Sequence, residues 1–145
     1  MPIWFGQATP QQLNELGQDT MVSQLGIEFL EIGEDSLTAR MPVDRRTVQP
    51  AGILHGGASA TLAETLGSVA ATLCVDPFKK RCVGLEINAN HVRPVRSGYV
   101  IGVATPVHIG KSTQIWQIRI KDEQDRLVSI ARLTLAILDM TNEVN

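Results

Sequence analysis

Aromatic side chains are scarce in this chain: two Trp, one Tyr and three Phe, or 4%. Its core must therefore be mostly aliphatic. Cysteine is scarcer still, with only Cys74 and Cys82. They have no metal-ligand spacing and no histidine cluster beside them, so neither a disulfide framework nor a zinc module is expected. The three histidines share no spacing that would make a ligand set, and no metal site is expected. An excess of positive charge is also missing. Thirteen Lys and Arg against fifteen Asp and Glu leave a net −2, which argues against a nucleic-acid binder working through a broad basic surface. The first residues lack the basic region and long apolar run of a signal peptide. With both cysteines read as reduced thiols, the expected location is the cytoplasm. What remains is 145 residues, 43% hydrophobic, the size of one soluble domain spanning 1–145. It contains no repeat, low-complexity tract or linker.

One stretch organises the chain. From Ala51 to Val75 a single side chain is formally charged, Glu64, among Ala58, Ala60, Leu62, Ala63, Leu66, Gly67, Val69, Ala70 and Ala71. A helix of such residues is expected to be buried on most sides. A carboxylate at its middle then loses hydration at a cost, which raises its pKa toward the range useful for general-base work. Two plainer readings compete. The run is long enough to span a membrane, but Gly, Ser, Thr, His and Glu within it, and no basic flank, speak against that. Alternatively, Glu64 sits on the exposed edge of an ordinary amphipathic helix. Ser59, Thr61, Thr65 and Ser68 are small and scattered rather than gathered into a polar face, which favours a functional role.

Around this stretch the elements follow in order. Residues 1–25 read as a short helical lead-in. Thr9-Pro10 gives an N-cap and a proline at the first helical position, and Gly17 the stop. Asp19 or Thr20 caps a second short helix ending at Gly26, and nothing catalytic shows in this segment. Alternation from Ile27 to Val43 predicts a hairpin turning at Gly33-Glu34-Asp35-Ser36. Arg45 and Arg46 read as solvated loop charges. The central helix starts between His55 and Ala58 and stops before Asp76-Pro77, followed by a basic turn at Lys79 to Arg81. Four strands are expected at Cys82–Val95, Tyr99–Ile109, Thr113–Lys121 and Leu127–Asp139, their short connections favouring antiparallel neighbours. Met140 to Asn145 read as a loose tail. The helix has no second long helix to pack on, so it must lie across the sheet. A second copy of the chain would cover its remaining face and the open sheet edge.

The segment His55-Gly56-Gly57-Ala58-Ser59-Ala60-Thr61-Leu62-Ala63-Glu64 resembles that of the hotdog-fold acyl-CoA thioesterases. The resemblance extends to Met41-Pro42-Val43-Asp44, Gly84-Leu85-Glu86-Ile87-Asn88-Ala89-Asn90-His91 and Trp116-Gln117-Ile118, and covers nearly the whole chain. It is strongest to the group holding the 4-hydroxybenzoyl-CoA, phenylacetate-pathway and 1,4-dihydroxy-2-naphthoyl-CoA thioesterases, and within it to the naphthoyl branch. The resemblance implies an α+β hotdog fold, one long helix wrapped by a curved antiparallel sheet. It implies a homodimer with shared active sites, assembling to a homotetramer. The implied activity is hydrolysis of aromatic acyl-CoA thioesters without a cofactor, and the branch implies menaquinone biosynthesis. No nucleic-acid or membrane partner is implied.

Residue by residue, the resemblance makes Glu64 the catalytic carboxylate, as nucleophile or as general base, and the Gly56 N–H the oxyanion donor. His55 would orient loop and substrate, and Gln49 would contact the thioester region. Chemistry suits this assignment. The free N–H groups and positive end of a helix start can hold an oxyanion, and Gly56 and Gly57 would let a carbonyl approach the backbone. Gly56 and Glu64 are eight residues apart, about 12 Å at ~1.5 Å per residue, too far for one thioester to bridge. The expectation is that Gly56, His55 and Gln49 of one subunit face Glu64 of its partner. Ser68, one turn beyond Glu64, would contact it or the acyl group, or simply pack. For CoA the family points to Gly84, to His91-Val92-Arg93-Pro94, and to His108-Ile109-Gly110-Lys111-Ser112-Thr113, a turn departing from relatives at Lys111 to Thr113. Arg93, Arg96 and Lys111 read equally as phosphate partners or exposed strand-end charges. His91 and His108 read equally as structural residues. Two other readings of the fold remain, a hotdog acyl-thioester dehydratase and a non-catalytic acyl-CoA-binding module. The H-G-G…E pattern does not match the first, and retention of Gln49, His55, Gly56 and Glu64 together speaks against the second.

Overall fold

The computed structural model describes residues 1–141. Thr9 caps α1 (Pro10–Leu16) with a capping box closed by Gln12, and Gly17 follows as expected. Thr20, not Asp19, caps α2 (Met21–Gln24). Gly26, at φ +72°, turns the chain into β1 (Glu28–Ile32). A φ of that sign suits glycine because it has no Cβ to clash. The hairpin closes through residues 33–36 to β2 (Leu37–Pro42), where alternation puts Leu37, Ala39 and Met41 fully inside.

After a loop come α3 (Gly56–Leu73), β3 (Lys80–His91), β4 (Tyr99–Ile109), β5 (Thr113–Lys121) and β6 (Leu127–Asp139). The last three strands match their expected limits. The six strands form one antiparallel sheet in the order β1-β2-β4-β5-β6-β3. Helix α3 crosses its concave face. Leu62, Ala63, Leu66, Ala70 and Ala71 meet Trp116, Ile118, Ile120, Leu133 and Leu135, all fully buried or nearly so. This curved sheet wrapped on one helix is the hotdog arrangement.

The structure corrects four expectations. Lys80 and Arg81 belong to β3 rather than to a basic turn, because their partners Asp139 and Leu138 extend β6 that far. β3 stops at His91, not Val95: the N–H groups of Val92 and Arg93 both turn to the Val128 carbonyl, and Pro94 has no N–H to continue a ladder. The short connection after β3 does not join neighbours. It crosses the ends of β6 and β5, held where the Val95 carbonyl accepts from Leu54 N–H and the Gly98 carbonyl from Val43 N–H, and so leaves β3 as a sheet edge. Finally, α3 is not buried on most sides. Thr61, Glu64, Thr65 and Ser68 are half-buried, and Gly57 and Thr72 exposed, on the side away from the sheet. Of the expected tail, Met140 N–H donates to the Lys79 carbonyl, and residues 142–145 lie outside the described residues.

Candidate active site

Glu64 lies midway along α3, beside a cleft of about 480 Å³ lined by Met21, Val22, Ala60, Thr61, Thr65 and residues 84–87 of β3. Its Oε2 is shielded from solvent and has no hydrogen-bond partner among the described residues. Burial pushes the carboxyl pKa above its ordinary value, because the charged form loses hydration with nothing to replace it. The carboxylate reaches toward β3 only because residue 84 is glycine: a Cβ there would stand 2.7 Å from Glu64 Oε1. The sheet bulges at this point, with the β3–β6 register shifting between Gly84 and Glu86. Glycine inside a strand marks such close approaches, though it does not say which atom approaches.

The other half of the expected constellation sits at the N-terminus of α3. His55 is the N-cap, and its Nδ1 accepts from Gly57 N–H at 2.7 Å. An accepting Nδ1 puts the imidazole proton on Nε2, leaving an exposed N–H donor. The Gly56 N–H donates to no acceptor among the described residues. The space beside these glycines is bounded by two histidine rings. A Cβ on Gly56 would lie 2.8 Å from His91 Nε2, and one on Gly57 2.9 Å from the His55 ring. At both positions glycine makes room for an imidazole ring. His91 in turn lies 3.3 Å from the buried Ser129 hydroxyl. Gln49 closes the preceding turn, its Oε1 accepting from Ala51 N–H. Gln49, Ile53, Leu54, Gly56, Ser59, Val128 and the segment His91-Val92-Arg93-Pro94 line one cleft of about 460 Å³. Ser59, read from the sequence only as a small scattered polar residue, enters because it stands one turn beyond Gly56 on α3.

The two clefts share no residue. Gly84 and His91 are seven positions apart on β3, roughly 23 Å at about 3.3 Å per residue. The turn from His108 to Thr113 aligns, through β5 and β6, with the Gly84 end of β3 and not with His91. Within one chain the expected CoA-binding segments therefore stand apart. Ser68 lines neither cleft but a third cavity one turn beyond Glu64. Arg46 is fixed to Asp44, whose carboxyl is lowered to about 2 by this partner. Arg93, Arg96 and Lys111 are exposed and take no part in the ion pairs of the described residues. The Cys74 thiol, pushed up to about 11 by burial, is a poor nucleophile.

A family model described as the thioesterase superfamily matches residues 51–129. The 1,4-dihydroxy-2-naphthoyl-CoA hydrolase of Escherichia coli is 55% identical over 136 residues, 94% of this chain and 99% of that protein. A thioesterase from Haemophilus influenzae superposes with a TM-score of 0.94 at 48% identity, covering 99% of both chains. A mutant thioesterase from Pseudomonas aeruginosa gives 0.94 at 47%, over 95% of this chain and 99% of that one.

Proposed function

The chain belongs to the thioesterase superfamily as an acyl-CoA thioester hydrolase, and we propose that its substrate is an aromatic acyl-CoA of the 1,4-dihydroxy-2-naphthoyl type, cleaved at a site shared between two subunits. The substrate class follows from the E. coli relative, and menaquinone biosynthesis would be the setting. The observation that carries the mechanism is a shielded carboxylate oxygen without a partner, Glu64 Oε2, one cleft away from an uncommitted helix-start N–H, that of Gly56.

The chemistry needs both groups. Water adds to the acyl carbon as the C–S bond breaks, giving the free acid and CoA thiol. As the carbonyl carbon is attacked, its oxygen takes up negative charge, which the Gly56 N–H and the positive end of α3 stabilise. Glu64 either takes a proton from the attacking water or attacks the carbon itself, forming an anhydride that water then opens. A carboxylate with raised pKa is a stronger base and nucleophile than an exposed one. His55 Nε2–H and Gln49 orient the thioester, and no cofactor takes part.

A two-fold partner resolves the separation of the clefts. β3 is an unpaired edge, with Val83 and Leu85 exposed along it. Antiparallel pairing of β3 with its copy, centred near Ile87 and Asn88, sets His91 of one subunit beside the Gly84 position of the other. Gly56 then faces the partner carboxylate, and the His91-Val92-Arg93-Pro94 segment lies at the same end of the joined sheet as the partner's His108–Thr113 turn. The dimer is the unit of catalysis, and its doubling gives a tetramer.

The test is release of free thiol from benzoyl-, hydroxybenzoyl-, dihydroxynaphthoyl- and straight-chain CoA esters, with Glu64→Ala alongside. The expected result is preferred turnover of the aromatic esters, reduced at least 100-fold in the variant, on the scale of removing an essential general base. Binding of CoA esters without turnover in the unmutated protein would leave only an acyl-CoA-binding module.

A further inference from the structure

Ser129 puts a hydroxyl where the sheet offers it little that is polar. It is fully buried on β6, between Ile120 of β5 on one side and His91 of β3 on the other. Ala131, the next residue along its face of β6, is buried too. Among the described residues the Ser129 Oγ has one hydrogen-bond partner, His91 Nδ1 at 3.3 Å. Two arrangements of that contact have unequal costs. If Nδ1 carried the imidazole proton and donated to Oγ, the hydroxyl proton would be buried without an acceptor, which costs more than a hydrogen bond returns. If Oγ donates to Nδ1, the hydroxyl proton is satisfied, and the neutral ring must carry its own proton on Nε2.

Nε2 is the ring atom nearest the helix start. A Cβ on Gly56 would lie 2.8 Å from it, against 3.1 and 3.4 Å from the two carbons beside it. A Cβ stands about 2.5 Å from its own nitrogen, two bonds away at tetrahedral geometry, so Nε2 and the Gly56 nitrogen are at most about 5.3 Å apart. Two N–H donors converge on one oxygen, at about 2.9 Å each, only when they stand closer than ~5.8 Å. This pair meets that condition. Both residues line the cleft that holds Gln49, and the Gly56 N–H has no acceptor among the described residues. From these observations, and resting on the thioesterase reading above, we infer that the oxyanion is held by two donors, Gly56 N–H and His91 Nε2–H, and that Ser129 is the positioning residue that makes His91 a donor. Without the Ser129 hydroxyl, neither the plane nor the tautomer of the ring is fixed. The Nδ1–H form would then turn the Nε2 lone pair toward the carbonyl oxygen, setting two acceptors against each other.

The experiment compares Ser129→Ala, His91→Gln, His91→Ala and the Ser129→Ala/His91→Ala double variant in kcat and KM for the preferred CoA ester. The tautomer is read from long-range proton–nitrogen correlation spectra in mildly alkaline solution, the His91 signals being those lost in His91→Gln. The expected result is an Nε2–H ring at His91 in the unmutated protein and a mixture of tautomers in Ser129→Ala. His91→Ala should lower kcat about 100-fold, the scale of removing one oxyanion donor. His91→Gln should lose less, because its amide N–H is a neutral donor near the place of Nε2. Ser129→Ala should lower kcat about tenfold, the scale of one hydrogen bond, with KM little changed, and should cost nothing further once His91 is alanine. Circular dichroism confirms that each variant is folded. An Nδ1–H ring in the unmutated protein overturns the inference. So does a Ser129→Ala loss that persists undiminished without His91, which assigns Ser129 to packing. A raised KM with unchanged kcat in His91→Ala also overturns it, assigning His91 to CoA alone, and all three leave the thioesterase reading intact. Failure of the unmutated protein to hydrolyse any ester overturns that reading and this inference with it.

Discussion

Glu64 is strained in a thermodynamic sense. Its pKa is raised by burial, so the folded protein holds the carboxyl proton more tightly than the unfolded chain does. Linkage then fixes the sign: the native state is favoured while Glu64 is neutral, below the unfolded value of about 4.3, and that advantage is lost as pH rises through the higher folded value. Glu64→Gln therefore removes a destabilising charge at neutral pH. The variant should be inactive yet melt higher than the unmutated protein at pH 7, with the gap closing as pH is lowered toward 4. The acid limb of the pH–rate profile should lie above that of an ordinary carboxylate. Equal melting temperatures across the range would show that burial imposes no cost on Glu64. The sequence exposed this residue because it is the sole charge in a long apolar run. It could not expose why Gly56 and Gly84 are glycines, since the atoms they admit, His91 Nε2 and Glu64 Oε1, come from elements distant along the chain.

At the level of elements, the small residues of α3 govern how closely the sheet approaches. A Cβ on Gly67 would lie 2.6 Å from Leu133 Cδ2, and one on Gly102 of β4 would lie 2.6 Å from Leu66 Cδ1. Helix and sheet interlock at these two points. Gly67→Val should cost about 1–3 kcal/mol as overpacking, read as a lower denaturant midpoint, and should reduce turnover by shifting Glu64 away from Gly84. A midpoint unchanged from the unmutated protein would mean that α3 does not seat on Leu133 as described. Strand limits were readable where turn residues bracket an alternating run, as at Gly110-Lys111-Ser112 between β4 and β5. Adjacency of β3 was not readable, because its partner β6 is chosen by long-range pairing after a crossover anchored at Val95 and Gly98.

For the whole molecule, the central claim is that neither half of the site works alone. A chain carrying Glu64→Ala and one carrying Gly56→Ala should each be inactive. Co-expressed with different tags and purified as a heterodimer, they should recover about half the unmutated activity, since two-fold symmetry rebuilds one intact site and one doubly altered one. A heterodimer as inactive as its parents would place both groups in one subunit. The strand order also has a consequence for how the protein is made. Helix α3 is finished before any of the strands β3 to β6 that cover its inner face, and the middle of the sheet, β4-β5-β6, comes from the last third of the chain. On the ribosome, where synthesis proceeds from the N-terminus, the Leu62–Ala71 surface has only β2 to pack against until β3 to β6 emerge. The growing chain must therefore carry its stickiest segment largely uncovered until the last third of the sequence has been made.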